Sequence, residues 1–206
     1  MKTTLYLTRH GQTEWNIEQR LQGHQDSPLT ELGLQHAAWL SESMSGISLD
    51  AIYASSSPRT LRTAQILRRD RTIDIVPEDA LKEISMGSWE GQRNSDIEAH
   101  SPDGHFDFWN NPHQYVPTNG GESYHDLQRR VIPKIQDIIA SSEGKNVLIV
   151  THAATLKVIM AFFEGRELAN LWLPPIVHST ALCKVVCEGD QITVELYGDT
   201  SHYREN

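Results

Sequence analysis

The chain has 206 residues, of which 38% are hydrophobic and 22% charged, and its formal net charge is -9. This length and composition are typical of one globular domain with a sizeable core. The negative charge argues against nucleic acid and against an anionic membrane as the main partner, because both bind through broad basic surfaces. A small anionic substrate stays compatible, since a few arginines can make a local positive pocket.

The short apolar runs and the two cysteines indicate where in the cell the protein is expected. The apolar runs at 147–150 and 158–163 are far shorter than the roughly 20 residues that cross a bilayer, and the chain begins with a strand-like pattern rather than a targeting segment. On one strand, Cys183 and Cys187 would lie roughly 13 Å apart, beyond the about 7 Å that a disulfide spans. We therefore expect reduced thiols and a cytoplasmic protein with no membrane partner.

Strand-like and helix-like patterns alternate along the chain. The segment 13–22 predicts a helix or a long loop, Pro77 is expected to end the third strand, and Pro133 predicts a kink in its helix. The predicted strands are 4–8, 51–54, 73–76, 146–151, and a hairpin of 181–187 and 191–196. The predicted helices begin after Thr30, at 59–67, around 127–138 and at 153–163.

This order of elements predicts the fold class. Strands that alternate with helices indicate an α/β fold, here a three-layer sandwich with a mostly parallel central sheet and an antiparallel edge. Residues 83–123 hold glycines, prolines and tryptophans without a regular period, and a segment of this kind is typical of a functional lid. We expect a single domain over 1–206 with a lid-like insertion at about 83–123.

Polar side chains follow the predicted strands. Arg9 and His10 end the first strand, Arg59 follows the second, Glu83 follows the third, and His152 follows the fourth. Ligands of such sheets bind at the carboxyl ends of the strands, so these five side chains are expected to converge.

The predicted cluster suits phosphoryl transfer. A neutral imidazole is a good nucleophile near neutral pH, and arginines bind phosphoryl oxygens bidentately. Neighbouring cations disfavour protonation of His10, which keeps it nucleophilic. A carboxylic acid can protonate the leaving oxygen and then activate water. No metal or other cofactor is needed for this chemistry, and the histidines at 100, 105 and 113 fit no strong metal-ligand spacing.

An ordered set of motifs resembles the histidine phosphatase superfamily, the phosphoglycerate mutase-like proteins. The first motif, RHGQTEWN, carries the Arg-His-Gly hallmark of that family. The matching stretches are RHGQTEWN at 9–16, DSPLTELG at 26–33, SSSPRTLRTA at 55–64, KEISMGSWEG at 82–91, GGES at 120–123 and VLIVTHAATLK at 147–157. They cover nearly the whole chain in order, and the resemblance implies the phosphoglycerate mutase-like fold.

The resemblance also implies roles for individual residues. His10 would be the nucleophile that forms phosphohistidine, and Glu83 would be the proton donor. The residues implied to bind the phosphoryl group or to line its pocket are Arg9, Asn16, Gln22, Arg59 and His152. Ala153 departs from the family pattern, where glycine is usual, and its methyl group is expected to narrow the pocket.

The branch within the family follows from two stretches. Primer-dependent mutases usually have Arg-His-Tyr after the acid glutamate, whereas Glu83 precedes Ile84-Ser85-Met86, which argues against a mutase. HFDFWNNPHQYVP at 105–117 is similar to the PhoE-type broad-specificity phosphatases of bacilli. We therefore expect hydrolysis of small organic phosphate monoesters. The alternatives are an α-ribazole-phosphate phosphatase of cobalamin synthesis, a phosphoglycerate mutase, and a binding module without catalysis.

Three points stay open at the sequence level. The aromatic residues of the insertion, Phe106, Phe108, Trp109 and Tyr115, form either a substrate lining or a small satellite core. Arg20 and Arg62 are interpreted as helix-surface residues that could still reach a substrate. The sequence is compatible with a monomer or a homodimer whose partners are small phosphate esters.

Overall fold

The computed structural model describes residues 1–204 and consists of one mixed sheet with helices on both faces. The strands are β1 (Lys2–Arg9), β2 (Ala51–Ser55), β3 (Ile75–Glu78), β4 (Asn146–Thr151), β5 (Leu182–Glu188) and β6 (Gln191–Asp199). The α-helices are α1 (Glu14–Ile17), α2 (Glu31–Ser43), α3 (Pro58–Arg68), α4 (Asn94–His100), α5 (Pro102–Asn110), α6 (Tyr124–Ser141) and α7 (Ala153–Glu164). Short 3-10 turns lie at Asp79–Leu81, Gly87–Trp89 and Leu168–Asn170.

The strand order is β3-β2-β4-β1-β5-β6. β3, β2, β4 and β1 pair in parallel, whereas β5 pairs antiparallel with β1 and with β6. The predicted mostly parallel sheet with an antiparallel edge is confirmed. β1 and β4 are direct neighbours, and Arg9 lies opposite Thr151 in the register. The two residues that follow, His10 and His152, therefore leave the sheet side by side.

Two apolar cores cover the faces of the sheet and confirm the three layers. On one face, Leu40 of α2 and Leu67 of α3 pack with Ile52 of β2. On the other face, Val131 of α6 and Ile159 of α7 belong to the larger core. The buried β-strand residues alternate between these two cores, as expected for strands that are covered on both faces.

The third strand differs from its predicted bounds. The prediction placed it at 73–76 and ended it at Pro77, but β3 spans Ile75–Glu78 and contains Pro77, which lies opposite Ala54. β3 is the outer strand of the sheet, so only one of its sides pairs with a neighbour. A proline that lacks its N–H is tolerated on an edge strand, which is why Pro77 does not end this one.

The structure refines one further sequence expectation and agrees with another. The segment 13–22 contains a single helical turn, α1, rather than a longer helix. Cys183 and Cys187 both lie on β5 as buried free thiols, as expected. Within residues 1–204 no helix is long and apolar enough to cross a membrane.

Candidate active site

The exit of β1 is shaped by two glycines, Gly11 and Gly33, at which the loop after β1 and the start of α2 pack backbone against backbone. A Cβ on Gly11 would lie 2.6 Å from the carbonyl oxygen of Gly33, and one on Gly33 would lie 2.1 Å from the carbonyl oxygen of Gln12. Both are closer than a real side chain can approach. The loop after β1 therefore packs directly on the first turn of α2, which fixes the direction in which His10 leaves the strand.

The ring of His10 is buried and oriented at both nitrogens. Its Nδ1 lies 2.7 Å from the carbonyl oxygen of Gly11, and this oxygen can only accept, so Nδ1 carries the proton. Its Nε2 accepts a hydrogen bond from Nε of Arg59 at 3.3 Å and is therefore unprotonated. Burial and the neighbouring guanidinium groups of Arg59 and Arg9 hold the pKa of His10 well below its ordinary value of 6.5. Nε2 is thus the unprotonated nitrogen of a neutral ring, and in this state its lone pair accepts from Arg59.

Arg59 is the centre of the site and is almost completely buried, with 2% of its surface exposed. Beside the bond to His10, its Nη1 donates to the carbonyl oxygen of Gln25 and to Oδ1 of Asp26, both at 2.8 Å. Its Nη2 donates to the carbonyl oxygen of Gly23 at 2.8 Å and to Nδ1 of His152 at 3.0 Å. Every N–H of this guanidinium has a protein acceptor, so its plane is fixed.

His152 lies behind this arginine rather than on the cavity wall. Its Nδ1 accepts from Arg59, so Nε2 carries the proton and donates to Oγ of Ser55 at 2.8 Å. Its ring centroid lies 5.2 Å from that of His10. Burial, Arg59 and His10 hold the pKa of His152 well below 6.5, so the ring is neutral. In this arrangement His152 orients Arg59, and direct contact with a phosphoryl group stays a prediction.

Glu83 is held at the N-terminus of α7. Its Oε2 accepts from the amide of Ala154, and its Oε1 accepts from the amide of Thr155, both at 3.0 Å. The backbone carbonyl of Glu83 accepts from Nη2 of Arg130 at 3.2 Å and lies 3.1 Å from Nε2 of His24. Side chain and backbone are therefore both fixed, and the carboxyl group borders the same cavity as His10.

Three further predicted residues complete the polar wall. Arg9 donates from Nη1 to the carbonyl oxygen of Val177 at 3.1 Å, and its buried Nε has no partner within residues 1–204. Oδ1 of Asn16 accepts from the amide of Thr13 at 3.0 Å, which leaves the amide nitrogen of Asn16 as its other polar group. Gln22 donates to the hydroxyl of Thr13, and its Oε1 is buried without a partner in the described chain.

A cavity of about 340 Å³ joins these side chains. Its lining includes six of the seven predicted site residues, all except His152. The six are Arg9, His10, Asn16, Gln22, Arg59 and Glu83. Ala153 also lines the cavity, so its methyl group occupies the position where the family usually has glycine.

Several lining residues were not predicted or were interpreted differently. Arg20, interpreted as a surface residue, lines the cavity and donates to the carbonyl oxygen of Gly91. Met86, Asn94 and Trp172 line it as well. Trp172 lies in the irregular segment after α7, and the sequence carries no strand-end signal there that could have identified it.

Of the aromatic residues in the insertion, some belong to the core and some form part of the cavity lining. Phe108 and Tyr115 are buried in the larger core, and Phe108 and Trp109 also face the cavity. Phe106 is 56% exposed and does not line the cavity. The core and the substrate wall are therefore continuous at this point. Among the described residues, no group of three or more His, Cys, Asp or Glu side chains is placed to share a metal ion.

Comparison with known proteins agrees with this geometry. The family model described as the histidine phosphatase superfamily, branch 1, matches residues 5–200. The solved structure of YhfR from Bacillus stearothermophilus is 44% identical, with a TM-score of 0.94 over 97% of this chain and 98% of that chain.

Two curated relatives cover most of the chain. The adenosylcobalamin/alpha-ribazole phosphatase of Escherichia coli (strain K12) is 30% identical over 82% of this chain and 82% of its own length. Phosphoserine phosphatase 1 of Hydrogenobacter thermophilus (strain DSM 6534 / IAM 12695 / TK-6) is 29% identical over 82% of this chain and 79% of its own length.

The chain therefore belongs to the histidine phosphatase superfamily, branch 1. It is a phosphatase with the α/β fold of its phosphoglycerate mutase-like structural neighbours.

Proposed function

We propose that this protein hydrolyses small organic phosphate monoesters without a metal, through a phosphohistidine intermediate on His10. The observation that carries the proposal is the tautomer of His10, whose Nδ1–H is bound to the carbonyl of Gly11 and whose Nε2 lone pair points at Arg59 on the cavity wall. A neutral, oriented imidazole beside two guanidinium groups is suited to attack phosphorus while the arginines hold the charge of the phosphoryl oxygens.

In the first step, Nε2 of His10 forms a bond to phosphorus, and the bond from phosphorus to the ester oxygen breaks. Glu83 gives its proton to that oxygen, which leaves as an alcohol. The phosphorylated ring becomes cationic, and the carbonyl oxygen of Gly11 accepts from its Nδ1–H. Arg59 exchanges its contact with Nε2 for a phosphoryl oxygen, so its positive charge stays beside the transferred group.

In the second step, the carboxylate of Glu83 takes a proton from water, and the water oxygen attacks phosphorus. The bond from nitrogen to phosphorus breaks, inorganic phosphate forms, and both His10 and Glu83 return to their starting protonation states. A half-turn of the Gln22 amide would let the hydroxyl of Thr13 donate to Oε1 and free the Gln22 amide nitrogen to donate to a phosphoryl oxygen.

The walls of the cavity support broad specificity. Besides its polar residues, the cavity is lined by large apolar side chains, namely Met86, Phe108, Trp109 and Trp172. Apolar walls bind many organic groups and discriminate weakly between them. The names of the relatives offer narrower substrates, α-ribazole phosphate and phosphoserine. Free cysteines support a cytoplasmic location.

Phosphate release from p-nitrophenyl phosphate in excess chelator tests the proposal. The purified protein should turn over, and His10→Ala should lose at least about 10³-fold in kcat, because the nucleophile itself is removed. Acid-labile, base-stable label on the wild-type protein after quenching with ³²P substrate would identify phosphohistidine. Chelator-sensitive release, or turnover that survives in His10→Ala, would contradict the mechanism. Primer-dependent isomerisation with little phosphate release would favour a mutase.

A further inference from the structure

A buried lysine lies beside the active site, and the described residues 1–204 give it no acidic partner. Lys157 of α7 is only 2% exposed. Its Nζ donates to the carbonyl oxygens of Leu173 at 2.7 Å and of Pro175 at 3.2 Å. An ammonium group has three N–H donors, so these two neutral acceptors leave one of them free.

Within residues 1–204, no carboxylate lies within 4.0 Å of Nζ of Lys157. Glu164 is paired with Arg166 at 2.9 Å, and the thiol of Cys183 and the ring of Tyr197, whose centroid is 5.2 Å from Nζ, are the other groups that face the ammonium. Burial, followed by repulsion from Arg166, lowers the pKa of Lys157 to about 8. A buried charge is normally paired with an opposite charge, so an anion bound beside Nζ would stabilise the ammonium group of Lys157.

The lysine lines a second cavity of about 290 Å³ that adjoins the active site. The two cavities share four lining residues, Arg9, Trp109, Ala153 and Trp172. The rest of the second cavity is apolar apart from Lys157, with walls from Pro175, Ile176 and Val177. The second cavity is therefore suited to an organic group that carries one negative charge.

We propose that the second cavity is a substrate subsite in which Lys157 binds a carboxylate carried by the leaving group of the phosphate monoester. The preferred substrates would then be phosphorylated organic acids with an apolar spacer between the ester oxygen and the carboxylate. This inference rests on the proposed phosphatase function, because it assumes that the ester is cleaved at His10.

A homologous series of ω-carboxyalkyl phosphates, each compared with the alkyl phosphate of equal length, measures the preference. The wild-type protein should show a kcat/KM ratio of at least about tenfold in favour of the carboxylate at one spacer length, since a charge-assisted hydrogen bond contributes that much. A ratio of one or less at every length, with alkyl phosphates still hydrolysed, would overturn the subsite alone. No hydrolysis of either series would contradict the proposed function instead.

Lys157→Met keeps most of the buried side-chain volume and removes the charge. It should reduce the ratio to about one, over and above any loss that the unpaired carbonyls of Leu173 and Pro175 cause equally in both series. Arg166→Met is the matched control, because Arg166 binds the carbonyls of Leu173 and Pro174 from outside the cavity. It should keep the ratio. An equal loss for both series in Lys157→Met would show that the lysine only holds the 173–175 backbone, and would overturn the proposal.

A measurement on the wild-type protein avoids any folding defect of the variant. The carboxylate preference should decline as pH rises through about 8, since Lys157 then loses its charge. The carboxylate and the phosphate keep their charges in that range. A preference that stays constant from pH 7 to 9.5 would contradict the assignment of the subsite to Lys157.

Discussion

At the scale of single residues, the carboxyl group of Glu83 has a proposed role, proton donation, that depends on the substrate. It borders the cavity beside the N-terminus of α7, where the amides of Ala154 and Thr155 hold it. Proton donation matters only when the leaving oxygen is basic. The effect of removing this acid should therefore depend on the leaving group.

Glu83→Gln should lower kcat/KM for alkyl phosphates by about 10²–10⁴-fold, the usual contribution of general acid catalysis. For p-nitrophenyl phosphate the loss in the first step should stay below about tenfold, because nitrophenolate leaves without a proton. Burst kinetics separates that step from hydrolysis of the intermediate. The retained burst also controls for correct folding. Equal losses in the first step for all leaving groups would exclude Glu83 as the proton donor.

At the scale of elements, the close contact between the β1 exit and α2 decides where His10 points. Gly11 and Gly33 meet backbone to backbone, so neither position has room for a methyl group. The sequence displays both glycines, but nothing in their local pattern shows that they touch. This contact is a property of the assembled helix and strand.

Gly11→Ala should destabilise the protein by about 1–3 kcal/mol or more, because the new Cβ would force the loop and α2 apart. Activity should fall as well, since His10 is the neighbouring residue. Gly46→Ala is the matched control: its Cβ meets nothing within 4 Å, and its free energy of unfolding should stay within about 0.5 kcal/mol of wild type. Urea unfolding of both variants measures the difference. Equal stability of the two would contradict the contact.

Some residues of the site could be predicted from the order of strands and helices, and others could not. Strand ends are visible in the sequence, and parallel topology brings them together, so Arg9, His10 and Arg59 could be assigned to one site before the structure. Trp172 and the second cavity beside Lys157 could not, because both depend on the irregular segment after α7 and on its contacts with the middle of that helix. Long-range packing of a loop has no periodic signal.

At the scale of the whole molecule, the fold carries several histidines that are neutral in the folded state. Burial and neighbouring cations hold the pKa values of His10 and His152 well below 6.5. Burial also lowers the pKa of His202 to about 4, and its Nε2 lies 3.1 Å from the hydroxyl of Thr180. The unfolded chain protonates these groups near pH 6.5, whereas the folded chain does not.

Acid should therefore destabilise the protein before its carboxylates titrate. With folded-state pKa values below the unfolded value, the stabilising contribution is complete above about pH 6.5 and is lost as pH falls towards 4. The free energy of unfolding, measured in urea from pH 8 to 4.5, should decline over that window. His202→Gln should decline less steeply than wild type, and His100→Gln, at an exposed ring, should not differ from wild type. A flat profile in the wild-type protein would contradict the neutral state of these rings.

The overall architecture was accessible from the sequence because alternating strands and helices leave few right-handed arrangements. The bounds of β3 were not, since whether Pro77 ends a strand depends on whether that strand lies at the edge of the sheet. The placement of His152 behind Arg59 was equally inaccessible. The end of a strand tells where a side chain begins, but the hydrogen bonds of its neighbours decide which atoms face the cavity.

The hydrogen bonding of Arg59 has an evolutionary consequence. Its planar group is held at once by the residue after β1, by the loop at 23–26 and by the residue after β4. A lysine carries its three N–H groups on one atom and cannot satisfy acceptors that surround a plane. We therefore expect that a substitution of Arg59 by lysine is not neutral. A change in any one of the three segments alters the constraint on the other two, so we expect these segments to diverge together or not at all.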